Sequence, residues 1–420
     1  MTDAGSQFDA VSATAGPVAR SSVARVGVAT AITAVCGYAV LYLAARDLDP
    51  TGFSVFGVFW GAFGLVTGAA NGLLQEATRE VRSTRHTGLG DDRSTRPMRV
   101  ATGAGIAAAA FIAGTAPLWA PHVFTEQRWL SVTLLAVGLA GFCLHATLLG
   151  MLAGTGHWTQ YGSLMVTDAV IRVAVAAAAF TLGWGLAGFL WATVAGAVAW
   201  LLLLVVSATA RSAAALRTAG TASTFLNGSM HSIAAAGASA ILVMGFPVLL
   251  KATSGELGAA GGVVILAVTL TRAPLLVPLT AMQGNLIAHF VDNRATRLRS
   301  LRAPCVIVLL IGAIGVAAAG LLGPWLLRAA FGADYQTGGA LLAWLTAGAV
   351  SIALLTVTGA ATVAAALQRA YAIGWIGATL AAAVILSLHM GLETKTVLAL
   401  LCGPLAGIAV HLVALARADA

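Results

Sequence analysis

Residues 163–208 read SLMVTDAVIRVAVAAAAFTLGWGLAGFLWATVAGAVAWLLLLVVSA. Two apolar runs, 163–183 and 187–208, are separated only by Trp184, Gly185 and Leu186. Each run has about 20 residues, the length a helix needs to cross the hydrocarbon core of a bilayer. So short a link leaves only an antiparallel hairpin. Asp168 and Arg172 are the only charged residues in the stretch, and their i,i+4 spacing sets them on one helical face.

Working outward from this hairpin, further runs of the same kind cover 23–45, 51–74, 100–120, 130–153, 226–250, 258–287, 303–323, 337–360, 371–390 and 396–416. The sequence therefore predicts an all-α integral membrane protein of about twelve spans. Composition agrees: 59% of the residues are hydrophobic and 9% are charged, against about 25% charged in soluble domains. Too few charges remain to cover a water-facing surface.

The net charge of +8 does not point to nucleic acid, because the basic residues fall in patches between the apolar runs, where they set topology. With a cytoplasmic N-terminus, that side holds Arg79, Arg82, Arg85, Arg93, Arg96, Arg99, Arg211, Arg217, Arg294, Arg297, Arg299, Arg302, Arg369 and Arg417, together with Arg20 and Arg25. The other side holds Arg46, Arg128, Lys251, Arg328 and Lys395. This bias places both termini in the cytoplasm and the chain in a bacterial inner membrane. Residues 1–19 are polar, lack a basic start and carry Asp3 and Asp9. They read as a disordered cytoplasmic tail, not a signal peptide. The basic loop 79–99 is expected to lie against anionic lipids.

The chain divides near residue 217 into two six-helix lobes, 20–217 and 218–420. GLLQEATREVRSTR (72–85) and GNLIAHFVDNRATR (284–297) close the second and eighth runs alike. DPTGFSVFGVFWGAF (49–63) and SGELGAAGGVVILAV (254–268) open them alike. A repeat in the same orientation implies two bundles related by an axis along the membrane normal, with a cleft between them.

LDPTGFSVFGVF (48–59), NGLLQEATREV (71–81) and FGADY (331–335) resemble the polysaccharide-export (Wzx-like) flippases of the multidrug/oligosaccharidyl-lipid/polysaccharide (MOP) superfamily. The resemblance implies a V-shaped transporter of two lobes with alternating access and a cationic lumen. Its substrate would be a polyprenyl-(pyro)phosphate-linked oligosaccharide, moved from the cytoplasmic to the external leaflet for cell-surface polysaccharide assembly. Envelope polysaccharide-assembly proteins would be its partners.

Ionisable groups at membrane depth carry the functional signal, since an Arg at a helix centre costs about 2.5–3.5 kcal/mol on insertion scales. Arg272 lies in LAVTLTRAPLLVPLTAMQGN (266–285), followed by Pro274 and Pro278, so a kinked or unwound helix is expected there. Arg272 reads either as a headgroup-phosphate site or as a cap on the carbonyls of a broken helix. Asp168 and Arg172 read as a neutralised structural pair, or as a gating acid beside a phosphate ligand. Arg25 reads as a topology anchor or as a headgroup contact at the mouth. Gln75, Glu76, Arg79, Asn227, His231, Gln283 and Asn285 are candidate cleft-lining residues for sugar hydroxyls, or ordinary interhelical hydrogen bonders.

No metal, cofactor or catalytic motif is present. Cys36, Cys143, Cys305 and Cys402 are scattered in apolar runs, and His145, His389 and His411 stand alone. An enzyme is not expected. Two other transport readings remain: a cation-coupled multidrug exporter of the MATE type, for which the first run offers Cys36, Tyr38 and Tyr42 but no acid, and a peptidoglycan lipid-precursor flippase.

Overall fold

The computed structural model is almost wholly helical and describes residues 20–87, 94–293 and 297–419. The expected tail 1–19, Arg93 and Arg294 lie outside the described residues. Among these, twelve helices are long and apolar enough to cross a membrane. They are Arg20–Asp47, Pro50–Thr87, Pro97–Val123, Arg128–Thr155, Trp158–Leu182 and Gly185–Val206, then Ala222–Val243, Gly258–Asp292, Arg302–Phe331, Gly339–Ala364, Gln368–Leu386 and Leu392–Asp419. They are spans one to twelve below.

Local chemistry fixes many of the boundaries. Span two starts at Asp49, whose carboxylate accepts the Gly52 N–H at 2.9 Å, with Pro50 in the first helical position. Spans four and five end at Gly156 and Gly183, both left-handed, as a chain reversal requires.

Three expectations from the sequence are corrected. Span seven does not run through residue 250. It ends at Val243, and a separate helix covers Phe246–Ser254. Span eight, in contrast, is continuous through Pro274 and Pro278. The expected unwinding is therefore absent: each proline removes a backbone donor from a helix that continues past it, a loss tolerated in bilayer helices. Finally, the segments read as loops after spans two and nine are helical as far as Thr87 and Phe331.

The two halves repeat one packing scheme. Span one packs on five, two on four, three on four and five on six. Likewise, seven packs on eleven, eight on ten, nine on ten and eleven on twelve. The fold is thus a two-lobed bundle of twelve helices. The segment joining the lobes contains the short helix Ala208–Ala215 and strand Thr218–Ala219, which pairs antiparallel with Ser94–Thr95 of the loop after span two.

Span two joins the lobes by packing against spans seven and eight. Its glycines allow this approach. A Cβ on Gly72 would fall on the backbone of Ile233, and one on Gly68 would meet Ala240 Cβ at 2.7 Å. Gly72→Leu is therefore expected to destabilise the protein by about 1–3 kcal/mol through overpacking. Gly27→Leu, which meets nothing within 4 Å, is the neutral control. Thermal unfolding in nanodiscs reads both.

The seam between spans two and seven runs the length of both helices, with Gly61 against Met244 at one end and Gly228 against Glu76 at the other. Twelve crossings return the chain to its starting face, here called the terminal face. Away from it, at the closed face, Val40, Leu41, Ala44 and Ala45 of span one and Val264 to Val268 of span eight are buried. Toward it, Thr30 and Thr33 of span one and Val277 and Thr280 of span eight line a shared cavity, so spans one and eight diverge.

At the closed face the Tyr335 hydroxyl donates to the Leu48 carbonyl at 3.0 Å across the lobes, within an aromatic group that includes Tyr42, Phe53 and Phe331. Burial pushes the Tyr335 phenol up, and Asp49 and Asp334 add to this, so the donor keeps its proton. Tyr335→Phe retains the ring packing and loses about 0.5–1.5 kcal/mol of hydrogen bonding. It is expected to raise the population open at this face about two- to tenfold. Spin-label distances between Asp47→Cys and Asp334→Cys measure the shift.

Candidate functional site

Where the diverging spans meet, they enclose a cavity of about 300 Å³. Its walls include Thr30, Thr33 and Tyr38 of span one, Gly57, Trp60 and Gly64 of span two, and Thr269, Arg272, Leu276 and Thr280 of span eight. The break after span seven adds Val243, Met244 and Pro247. The walls are chiefly apolar, and among the described residues no acid lines them. The threonine hydroxyls at 30, 33, 269 and 280 each donate to a carbonyl of their own helix. They therefore offer the cavity only lone pairs and methyl groups.

Arg272 is the cation of this cavity, and the sequence explains its position. In a continuous helix, the N–H of residue 247 would donate to the carbonyl of Val243. Span seven stops at Val243, the next helix starts after Gly245, and residue 247 is a proline without an N–H, so the Val243 carbonyl has no helical donor. Arg272 Nη1 fills the gap, donating to Val243 O at 3.0 Å, while its guanidinium carbon lies 5.0 Å from the centre of the Phe246 ring. Its Nε and Nη2 have no partner, although the residue is only 7% exposed. Both sequence readings therefore meet in one side chain. Arg272 does cap a broken helix, but the helix is span seven rather than its own, and two nitrogens of its fork are left buried and unpaired.

The other candidates fall in four places. Asp168 and Arg172 lie inside the first lobe and do not line the cavity. Arg172 Nη2 bridges Asp168 at 3.0 Å, its Nε reaches both carboxylate oxygens, and Nη1 donates to Thr193 O at 2.8 Å. The guanidinium also lies 5.3 Å from the Phe63 ring centre, and a Cβ on Gly196 would collide with both partners. Most of the donors that a phosphate would need are thus engaged within the protein. His145, buried and stacked on Phe142, has an unpartnered Nδ1.

Glu76 and Arg79 form a 2.6 Å ion pair at the terminal end of the seam between spans two and seven, against Gly228. Glu76 is 2% exposed. His231 lies within electrostatic reach of it and bonds the Asn227 carbonyl of its own helix at 2.8 Å. Gln75 and Asn227 are exposed beside this cluster. Arg25 is exposed at the terminal face, where Nη1 donates to Thr159 Oγ1 at 3.1 Å. Gln283 and Asn285 lie on the diverging half of span eight and do not line the cavity. The sequence reading missed Trp60. The signal was present in Gly57, Trp60 and Gly64, which recur at helical spacing.

No family model matches this chain. Two Mycobacterium tuberculosis (strain ATCC 25618 / H37Rv) relatives are each 67% identical to it. "Uncharacterized protein Rv3630" aligns over 99% of this chain and 97% of its own length, and "Uncharacterized protein Rv1510" over 99% and 96%. Among solved structures, the MATE multidrug transporter DinF-BH superposes with a TM-score of 0.67 at 14% identity, covering 96% of both chains. A multidrug resistance MATE family transporter of the MOP superfamily superposes in its inward-facing conformation with a TM-score of 0.65 at 15% identity, covering 92% of this chain and 95% of that one. An outward-facing conformation of such a transporter gives 0.57 at 15%, covering 94% and 96%. By sequence the chain belongs to the mycobacterial family of Rv3630 and Rv1510, and it carries the twelve-helix fold of the MATE transporters.

Proposed function

We propose that this protein is an alternating-access transporter that carries a polyprenyl-(pyro)phosphate-linked oligosaccharide from the cytoplasmic to the external leaflet. The observation that carries this reading is Arg272. It is a fixed cation with unpartnered N–H groups at the closed apex of a chiefly apolar cavity. A guanidinium fork suits phosphate oxygens, and its charge-assisted hydrogen bonds are about twice as strong as neutral ones. The apolar walls and the gap between spans one and eight suit the hydrocarbon chain of a lipid carrier. The glycan extends toward the terminal face, where Arg25 and Arg79 are exposed.

On this reading the terminal face is cytoplasmic, as the arginine distribution requires, and the described state is inward-open. The better superposition on the inward-facing transporter, 0.65 against 0.57, supports that assignment. A cationic-drug exporter fits less well, because the cavity lining has no acid and Asp168 is paired within its lobe.

Reconstituted vesicles carrying a fluorescent polyprenyl-diphosphate oligosaccharide test the proposal. The protein is expected to speed exchange of the label between leaflets relative to protein-free vesicles. Failure to do so under any ion gradient, with transport of a cationic dye instead, overturns the substrate assignment in favour of drug export.

A further inference from the structure

A second cavity, of about 220 Å³, opens at the closed face on a different side of span two. Its floor is Lys251, on the helix Phe246–Ser254, with Ser54 of span two. These residues are 7% and 4% exposed. Its rim is Thr51, Thr125, Glu126 and Glu256, all exposed. The cup thus draws residues from both lobes.

The polar groups of this cup contrast with those of the central cavity. There, the threonine hydroxyls are committed to their own helices. Here, among the described residues, neither the Lys251 ammonium nor the hydroxyls of Ser54, Thr51 and Thr125 have a hydrogen-bond partner, and no carboxylate pairs with Lys251. The Lys251 side chain is 7% exposed and lines the cup, so what satisfies its ammonium is whatever occupies the cup, ligand or ordered water.

We infer that this cup binds a single sugar ring. Two carboxylates at the rim oppose entry of a free anion, and the ammonium beneath opposes a free cation. A neutral ring with hydroxyls around its edge satisfies both. It donates to Glu126 and Glu256, which can only accept, and accepts from Lys251, which can only donate. Val58 in the wall supplies an apolar surface for the C–H face of the ring. The volume is on the scale of one hexopyranose. The site is independent of Arg272 and faces the side to which a glycan would be delivered.

The test is saturation-transfer NMR on the full chain in lipid nanodiscs, free of sugar-headed detergent. The probes are D-glucose, D-galactose, D-mannose and N-acetylglucosamine. Transfer to the ring protons of at least one probe is expected. It should be lost in Lys251→Met and reduced severalfold in Glu126→Gln, with thermal unfolding unchanged in the latter, and retained in Arg272→Met. Transfer to none of the four, or transfer that persists in both Lys251→Met and Glu126→Gln, overturns the site and leaves a water-filled cup. Because Arg272→Met tests leaflet exchange separately, loss of one activity is distinguishable from loss of the other.

Discussion

Arg272→Met is expected to abolish leaflet exchange of the lipid-linked oligosaccharide and also to destabilise the protein, for two separable reasons. Stability falls because Val243 O loses the donor that replaces the missing N–H of Pro247. Leaving such a buried acceptor unpaired costs about 1–3 kcal/mol. Exchange falls because the cavity loses its cation. Hydrogen bonds to a charged group are worth about 1.5–3 kcal/mol, so one such contact to phosphate corresponds to roughly a 10- to 150-fold loss of rate.

Pro247→Ala separates the two effects. An alanine there supplies a backbone N–H for Val243 O and leaves Arg272 free of its capping duty. Pro247→Ala combined with Arg272→Met is therefore expected to recover most of the lost stability and none of the lost exchange. Recovery of exchange in that double variant would mean that Arg272 is only a cap, and the headgroup site would fall. Arg272→Lys keeps the charge but not the fork, so an intermediate rate is expected. Measuring unfolding and exchange on the same nanodisc and vesicle preparations settles all three.

The second large effect belongs to Asp168. Its carboxylate holds three of the guanidinium contacts of Arg172, and the Asp168 and Arg172 side chains are 12% and 15% exposed. Asp168→Leu leaves a buried guanidinium without its counter-charge, which costs about 3–5 kcal/mol. Asp168→Leu with Arg172→Met removes both charges and is expected to return stability to within about 1–2 kcal/mol of the original protein, because apolar replacement of a buried pair is often neutral. The double-mutant cycle is read by thermal unfolding. Exchange in the stable double variant should stay within about twofold of the original rate, or about 0.4 kcal/mol. A stable double variant that no longer transports would instead make Asp168 part of gating or coupling, and the pair would cease to be only structural.

The amino-acid sequence determined the bilayer environment, the number of spans and the hairpin at Trp184, because hydropathy and helix length are properties of contiguous residues. It also marked Arg272, since a cation within an apolar run is costly wherever the chain folds. The break after span seven was legible in principle from GFP (245–247): proline has no N–H to give the residue four positions back.

What fills that gap was not legible. Arg272 lies 29 residues further along, and its distance from Val243 is set by how spans seven and eight pack against span two. The same holds for the Lys251 cup, which assembles from positions 51–58, 123–126 and 251–258, and for the closure at Tyr335, which bonds a carbonyl 287 residues away. The neutralisation of Asp168 and Arg172 lies between these cases. Their i,i+4 spacing predicted the pair, but only the fold brings up the Thr193 carbonyl and the Phe63 face that engage the rest of the guanidinium. Spacing along a helix fixes which groups share a face. Which face closes against another lobe depends on where small residues such as Gly61, Gly68 and Gly72 let two backbones approach, and that is decided between helices rather than within one.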